Sequence, residues 1–301
     1  MREFTSLVDL TSRVRNEQAA IDYFTAIRWR NGAFCPYCGS TKVYHFGNKR
    51  THKCGDCRQR FSIKVGTVFE DSKVPLRKWL MAIWLINHSK GIASTQLAKD
   101  IGVTQKTAWF MAHRLRAAEA TPSYNKPLEN TVEADETFVG GKEGNKHASK
   151  RAKGSQGGAG KAVVFGVLER GGELRAWHLK MGRKYVLNGL MQAHIAPGAN
   201  VMKDDFGGYR NLPDTYNHQT VNHSAGEYVR GEAHTNGIEG AWSLLKRQIY
   251  GIHHWVSPKH LGRYVSEMTW RYNRREMTMG ERLAALIAGS DGRLTYRRLT
   301  A

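Results

Sequence analysis

Four acidic residues and a lysine between residues 130 and 250 have the residue types and spacing expected of a phosphodiester-cleaving centre. Asp135 lies inside the stretch VEADETF, Asp204 and Asp205 end the stretch NVMKDD, and Glu239 and Lys246 follow in NGIEGAWSLLK. Carboxylates can hold two divalent metal ions about 4 Å apart, which activate water and stabilise the leaving oxygen of a phosphodiester. These residues predict metal-dependent phosphoryl chemistry.

The acids can converge only if the elements that carry them are neighbours. Alternation places Glu133, Asp135 and Thr137 on one face of a strand predicted over 130–141. A second strand is predicted over 200–205, and it must lie close to the first in a mixed sheet. The other elements predicted after residue 130 are strands over 161–170 and 174–181 and helices over 184–195, 236–250 and 257–275.

The helix over 236–250 must supply the third ligand. At about 100° per residue, Asn236, Glu239 and Lys246 fall on one polar stripe, which a solvated helix face would also show. Asn236 and Glu239 have the spacing of a capping box, which would occupy the Asn236 side chain. Glu239 is therefore the preferred ligand, and Asn236 is the alternative. The opposite, apolar side carries Ile238, Ala241, Trp242, Leu245 and Ile249.

The four cysteines form two C-x2-C pairs with fifteen residues between them. Such knuckles bring four thiolates onto one tetrahedral Zn²⁺, and a site with four protein ligands is closed and structural. Short strand-like segments over 42–47 and 60–69 suit a zinc ribbon. The predicted zinc ligands are Cys35, Cys38, Cys54 and Cys57.

A helical region over 73–118 contains the spacing of a helix-turn-helix. Gly102 allows a tight turn, and Thr104 can cap a second helix that begins with Gln105, Lys106 and Thr107, where base edges would be reached. An ordinary helical hairpin packed against the ribbon is the alternative. The apolar positions expected to be buried are Leu97, Ala98, Ile101, Ala108, Trp109, Met111 and Leu115.

The charge balance indicates an anionic partner. The chain has 46 Lys and Arg against 26 Asp and Glu, a net charge of +20 and a pI of about 10.0. Nucleic acid is the first expectation, and an anionic membrane surface is the second. The N-terminus lacks the pattern of a secretion signal, and the apolar run over 79–86 is too short to span a bilayer. We therefore expect a cytoplasmic protein.

Several motifs occur together and in order: CPYCGS, KCGDCRQRFS, QLAKDIGVTQKTAWFMAHRLR, VEADETFVGG, KDDFGGYR, HTNGIEGAWSLLKR and HHWVSPKHLGRYVSEMTWRYNRR. In these motifs the chain resembles the DDE transposases of bacterial insertion sequences, in the family with an N-terminal zinc ribbon and an ISXO-like transposase domain. The resemblance covers nearly the whole chain.

The resemblance implies an α/β fold with a ribonuclease-H-like catalytic core, in which helices flank a mixed sheet. The expected domains are the N-terminal helix and zinc ribbon over 1–72, the helix-turn-helix over 73–120, the core over 127–285 and a basic tail over 286–301.

It also implies roles for the site residues. Asp135 would be the first acid, Asp204 the second and Glu239 the third, with Mg²⁺ or Mn²⁺ as the catalytic metal. Lys246 would contact phosphate near the cut. Some relatives have Asn as the third ligand, which keeps Asn236 as an alternative. The expected DNA-binding residues are Gln105, Lys106, Thr107, Arg114, Lys246 and Arg247.

The implied function is cleavage and rejoining of DNA at the terminal inverted repeats of a mobile element. The partners would be double-stranded DNA, as element ends and as target, and further copies of the chain in a homodimer or larger assembly. No membrane partner is expected, and the bound protein would be nucleoid-associated. Two rivals remain: a DNA-binding regulator with an inactive core, and a nuclease or resolvase with the same core.

The cysteine spacing makes a first testable prediction. Elemental analysis of the purified protein should find about one zinc per chain. The Cys54→Ser variant should lose most of that zinc, because three thiolates hold the ion less tightly than four. A metal-free wild-type protein would contradict the zinc ribbon.

Overall fold

The computed structural model describes residues 3–120, 126–141, 145, 147, 149, 160–180, 184–204, 215–221 and 234–300. The chain forms two compact units. The first unit comprises Met1–Thr121 and Arg274–Ala301, and the second comprises Pro122–Asn273. Within the described ranges, no helix combines the length and the apolar character needed to cross a membrane.

Most helices and strands follow one another in the order that the sequence predicts. The helices are α1 (Leu7–Arg13), α2 (Glu17–Arg28), α3 (Leu76–Ile86), α4 (Ser94–Ile101), α5 (Gln105–Glu119), α6 (Lys184–His194), α7 (Asn236–Lys246), α8 (Pro258–Asn273), α9 (Met279–Ala288) and α10 (Tyr296–Thr300), and a π-helical segment (Arg247–His253) continues α7. The strands are β1 (Val43–His45), β2 (Thr51–Cys54), β3 (Arg60–Ser62), β4 (Thr131–Val139), β5 (Ala162–Glu169), β6 (Leu174–Leu179), β7 (Asn200–Asp204) and β8 (Asn217–Val221).

The first unit joins a small antiparallel sheet to a helical cluster. Its strands lie in the order β1–β2–β3, although sequence patterning did not predict β2. The start of α3 is held by α2: the Glu17 carboxylate accepts hydrogen bonds from the backbone N–H groups of Leu76 and Arg77 at 2.7 and 3.1 Å. A negative charge at a helix N-terminus satisfies otherwise unpartnered donors and opposes the helix dipole.

The C-terminal segment differs from its predicted place. The sequence-based boundaries assigned residues 274–285 to the core and 286–301 to a tail, whereas residues 274–301 belong to the first unit. The cause is the amphipathic helix α9, which begins with a capping box between Thr278 and Glu281. Its buried Leu283, Leu286 and Ile287 pack among α2, α3 and α5.

The second unit is built on a five-stranded mixed sheet in the order β6–β5–β4–β7–β8. Strand β5 pairs antiparallel with both β4 and β6, whereas β7 pairs parallel with both β4 and β8. One face packs on α6 through residues such as Leu187 and Met191. The other face packs on α7 and α8. Helices therefore flank a mixed sheet, as expected, with an additional edge strand, β8.

The β4 strand has the predicted two-sided character. Val132 and Ala134 belong to the apolar layer on the α6 side. Glu133 and Asp135 lie on the opposite face, where each contacts α7. The sheet thus directs the acidic positions of β4 toward α7.

The N-terminus of α7 is tied to β4 through Glu133, a side chain that is only 1% exposed. Its carboxylate accepts a hydrogen bond from the backbone N–H of Ile238 at 2.9 Å and pairs with Arg170 at 2.8 Å. Arg170 also donates to the His234 carbonyl at 2.8 Å. Glu133 therefore fixes where α7 begins over the sheet.

Replacing Glu133 with Ala should lower the free energy of unfolding by about 2–3 kcal/mol, because the partly buried Arg170 and the Ile238 N–H lose their acceptor. Urea unfolding followed by circular dichroism measures this change. The matched control is Glu129→Ala, an exposed acid just before β4, which should change stability by less than about 0.5 kcal/mol. Equal effects of the two substitutions would contradict the anchoring role.

Candidate functional site

The four cysteines converge in the first unit. Their sulfurs all lie within 4.8 Å of one another, with 3.6 Å between Cys35 and Cys57 and 3.6 Å between Cys38 and Cys54. Four sulfurs around a tetrahedral zinc would lie about 3.8 Å apart, given Zn–S bonds of about 2.3 Å. The Cys57 N–H also donates to the Cys54 sulfur at 3.4 Å. The donor set fits a structural Zn²⁺.

Helices α4 and α5 form a pair joined by a tight turn. Gly102 ends α4 in the left-handed conformation, at φ 62° and ψ 56°. Thr104 caps α5 by accepting from the Thr107 N–H at 3.2 Å, as its position predicted. Gln105 and Lys106, the first two residues of α5, are exposed.

Two residues of α5 differ from expectation in their burial or their contacts. Trp109 is only partly buried, and its ring lies 4.0 Å from that of His113. Arg114, expected to bind DNA, donates to the backbone carbonyls of Val68 and Glu70. Burial lowers the pKa of this guanidinium from its usual value. Arg114 thus holds the segment before α3 against α5.

The parallel pairing of β4 with β7 brings two predicted acids to adjacent backbone positions. The register pairs Glu133 with Met202 and Ala134 with Lys203. Asp135 and Asp204 each follow by one residue, and neighbouring strands lie about 4.8 Å apart. The Asp204 side chain and the whole of Asp205 lie outside the described residues. The strands that carry Asp135 and Asp204 are therefore neighbours, as their convergence requires.

Asp135 is half-buried and oriented by α7. The indole N–H of Trp242 donates to its Oδ2 at 3.0 Å. Trp242 is 3% exposed, and its ring lies against β5 at Gly166. A Cβ at Gly166, the register partner of Asp135, would come within 2.6 Å of the indole. The glycine thus makes room for the ring that orients the acid.

The capping arrangement predicted for α7 is wrong. Asn236 is the first helical residue and is exposed, and the N-cap is Thr235. The Thr235 hydroxyl donates to the Glu239 Oε1 at 2.9 Å. Capping by Asn236 is not needed here because the Glu133 carboxylate already accepts from the Ile238 N–H.

The two faces of α7 agree with the predicted helical pattern. Ile238, Ala241, Trp242 and Leu245 are buried, and Ile249 is buried in the π-helical segment. On the other side Asn236, Ser243 and Lys246 are exposed and Glu239 is partly exposed. Arg247 is exposed, and its Nε donates to the Ser243 carbonyl at 3.1 Å.

Sequence reasoning missed the residues that position the acids. Glu133 looked like one more polar residue of β4, and Trp242 looked like part of the core. The sequence did contain a signal for Glu133. Alternation places Glu133 and Asp135 on the same side of β4, and that side must meet the apolar face of α7. A buried Glu on that face needs a donor, and a helix N-terminus supplies one.

Comparison with known proteins shows the family of the chain. Residues 15–60 match a profile described as a transposase zinc-ribbon domain, and residues 127–273 match an ISXO2-like transposase domain. A relative from Halobacterium salinarum, named "Uncharacterized protein in transposable element ISH50", is 33% identical over 259 residues, which span 81% of this chain and 84% of the relative. The chain belongs to this family of insertion-sequence transposases. The resemblance in the sequence motifs is thereby confirmed.

The family match to the transposase domain ends at residue 273, where the second unit also ends. The zinc-ribbon match includes all four cysteines. The predicted site residues Asp135, Asp204, Glu239 and Lys246 all lie inside the transposase-domain match.

The packing around Trp242 makes a testable prediction. Gly166→Ala should lower the free energy of unfolding by about 1–3 kcal/mol, because its methyl group overlaps the indole and pushes it from Asp135. Thermal and urea unfolding measure the loss. The matched control, Gly240→Ala, lies on the exposed side of α7 with nothing within 4 Å. It should be neutral or stabilise by about 0.5–1 kcal/mol. A Gly166→Ala protein as stable as the wild type would contradict this packing.

Proposed function

We propose that this family member is a DDE transposase. It binds the terminal inverted repeats of an insertion sequence and catalyses metal-dependent DNA cleavage and strand transfer. Its second unit is a ribonuclease-H-like core, a proposal supported by the mixed five-stranded sheet with helices on both faces.

The observation that carries the proposal is the alignment of β4 with β7. The register sets Asp135 and Asp204 at adjacent positions of parallel strands. The helix that carries Glu239 is held to the same strand by Glu133 and by the Trp242–Asp135 hydrogen bond. One strand pair and the helix held against it therefore carry the three proposed metal ligands.

The donor chemistry fits Mg²⁺ or Mn²⁺, which prefer carboxylate oxygens. Asp135, Asp204 and Glu239 would hold the ions, with Asn236 as the alternative third ligand. When bound, two such ions activate the attacking oxygen and stabilise the leaving one during in-line displacement.

The chain's own residues have separate tasks in this proposal. Trp242 fixes the rotamer of Asp135 before metal or DNA arrives, which reduces the ordering cost of binding. Thr235 does the same for Glu239 through its hydroxyl. Lys246, exposed at the end of α7, contacts a phosphate beside the cut. Arg247 follows Lys246 and is also exposed, so it adds a second positive charge at this position.

Helices α4 and α5 serve as a helix-turn-helix that recognises the element ends. The tight Gly102 turn and the exposed Gln105 and Lys106 at the start of α5 support this assignment. Thr107, in the first turn of α5, is also a proposed DNA contact. Arg114 is left out of the proposed DNA contacts because its guanidinium binds backbone carbonyls within the unit.

The net charge of +20 favours association with double-stranded DNA. Joining two element ends requires that they meet, so we propose a homodimer or larger assembly that acts in the cytoplasm on nucleoid DNA.

The test uses duplexes carrying the inverted repeats that flank the coding region. Asp135→Asn, Asp204→Asn and Glu239→Gln should each reduce Mg²⁺-dependent cleavage by on the order of 10³-fold, equivalent to about 4 kcal/mol of transition-state stabilisation. DNA binding in a mobility-shift assay should be retained. The matched control Glu129→Gln should cleave like the wild type.

Each rival predicts a different result. Cleavage by all three variants would show that the active site is wrongly assigned. A wild-type protein that binds the repeats and never cleaves them would be a regulator, and one that cleaves without joining pre-cut ends to target DNA would be a nuclease or resolvase. If Asn236→Ala is inactive and Glu239→Gln is active, Asn236 is the third ligand.

A further inference from the structure

A cleft lies at the C-terminal end of β4, beside the π-helical segment. Its volume is about 550 Å³, within the range of about 300–1,000 Å³ that suits a small organic ligand. Aromatic and basic side chains line it together, and they come from β4, from the residue before β5 and from the end of α7 onward. The residues that matter here are Phe138, Lys161, Lys246, Tyr250, His254 and Trp255.

The backbone around the cleft is unusual. Residues Arg247–His253 form a π-helix, and His254 follows at φ 60° and ψ −42°, a strained conformation for a residue with a side chain. π-helical turns and strained residues persist only where the surrounding structure holds them, and they concentrate at functional sites. This departure from α-helical geometry places Tyr250, His254 and Trp255 on the cleft wall.

Tyr250 is fixed in its place. Its hydroxyl donates to the Gly140 carbonyl at 3.1 Å and accepts from the Gly140 N–H at 3.2 Å. Both bonds join the π-helical segment to the end of β4. The Tyr250 ring is therefore a rigid wall, since its polar end is held at the strand.

Three aromatic side chains of the cleft are exposed to solvent. Trp255 is 69% exposed, Tyr250 43% and Phe138 38%. Lys161 and Lys246 place two positive charges among these rings. A purely apolar partner would leave both ammonium groups desolvated at a cost, whereas a ligand with a flat ring and a phosphate satisfies the rings and the lysines together.

We propose that this cleft binds one unpaired nucleotide of a DNA strand. Its base stacks on Trp255 and Tyr250, and its phosphate contacts Lys246 and Lys161. Base stacking on aromatic side chains requires that the base leave the duplex, because neighbouring base pairs cover its faces in a helix.

The inference rests on the proposed function and extends it. Val139, which lines the cleft, lies four residues beyond Asp135 on β4, or about 13 Å along the strand. Lys246 belongs both to the cleft and to the proposed phosphate contact at the cut. An unpaired nucleotide held here would keep the DNA end frayed beside the acids, so that one strand is presented for cleavage.

Photocrosslinking tests the proposal directly. The full chain is irradiated with a duplex that ends in a short single-stranded tail of 5-iododeoxyuridine, and with a blunt duplex that carries the same label internally. Peptide mapping should locate the tail-specific crosslink at Tyr250 or Trp255. Crosslinks confined to other parts of the chain would overturn the proposal.

Affinity measurements provide the second arm. Trp255→Ala should weaken binding of the tailed duplex by about tenfold, relative to the blunt duplex. Trp255→Phe should recover much of the loss, because phenylalanine still stacks. The matched control is Tyr185→Ala, which removes an aromatic side chain that is 67% exposed on α6 and not part of the cleft. It should leave both affinities unchanged.

The outcomes separate this inference from the proposed function. If the wild type cleaves inverted-repeat DNA but binds tailed and blunt duplexes equally, the cleft assignment fails and the proposed function stands. If Trp255→Ala alters only the sedimentation of the chain, the cleft binds a second copy and the proposal is overturned. If no DNA of either kind is bound, both fail.

Discussion

The burial of the Glu133 carboxylate under the first turn of α7 is the constraint on which the second unit depends. A buried acid must be paired, and here it accepts from the Ile238 N–H and pairs with Arg170. Since a helix is rigid, fixing its start also fixes what lies further along it. One turn further along, Trp242 lies over Gly166 and donates a hydrogen bond to Asp135. Lys246, at the end of the helix, lines the cleft.

The parts that sequence predicted share strong local signals. Alternation of the side chains predicted β4 and the face of the strand on which Asp135 lies. Helical periodicity predicted the buried side of α7. The glycine turn at Gly102 and the cap at Thr104 needed only short-range backbone chemistry. The paired cysteine spacing also sufficed, because two tight turns bring their four sulfurs onto one metal.

The missed parts depend on tertiary contacts or on weak local patterns. Strand β8 has the mostly polar sequence NHQTV and exists through its pairing with β7. The cap of α7 shifted from Asn236 to Thr235 because Glu133, more than 100 residues earlier, supplies the acceptor. The segment 274–301 joins the first unit because α9 buries its apolar side there, which charge and composition alone did not indicate. Periodicity likewise could not distinguish the π-helical segment from a continued α-helix.

We propose that α7, held by Glu133 and Trp242, brings Glu239 to the same metal ion as Asp135 and Asp204. Iron-mediated cleavage of the polypeptide measures this proximity: Fe²⁺ replaces Mg²⁺, and hydroxyl radicals generated with ascorbate and peroxide cut the backbone near the bound ion. We expect cuts around residues 135, 204 and 239, all of which excess Mg²⁺ should suppress. Cuts at the two strands with none near residue 239 would contradict it.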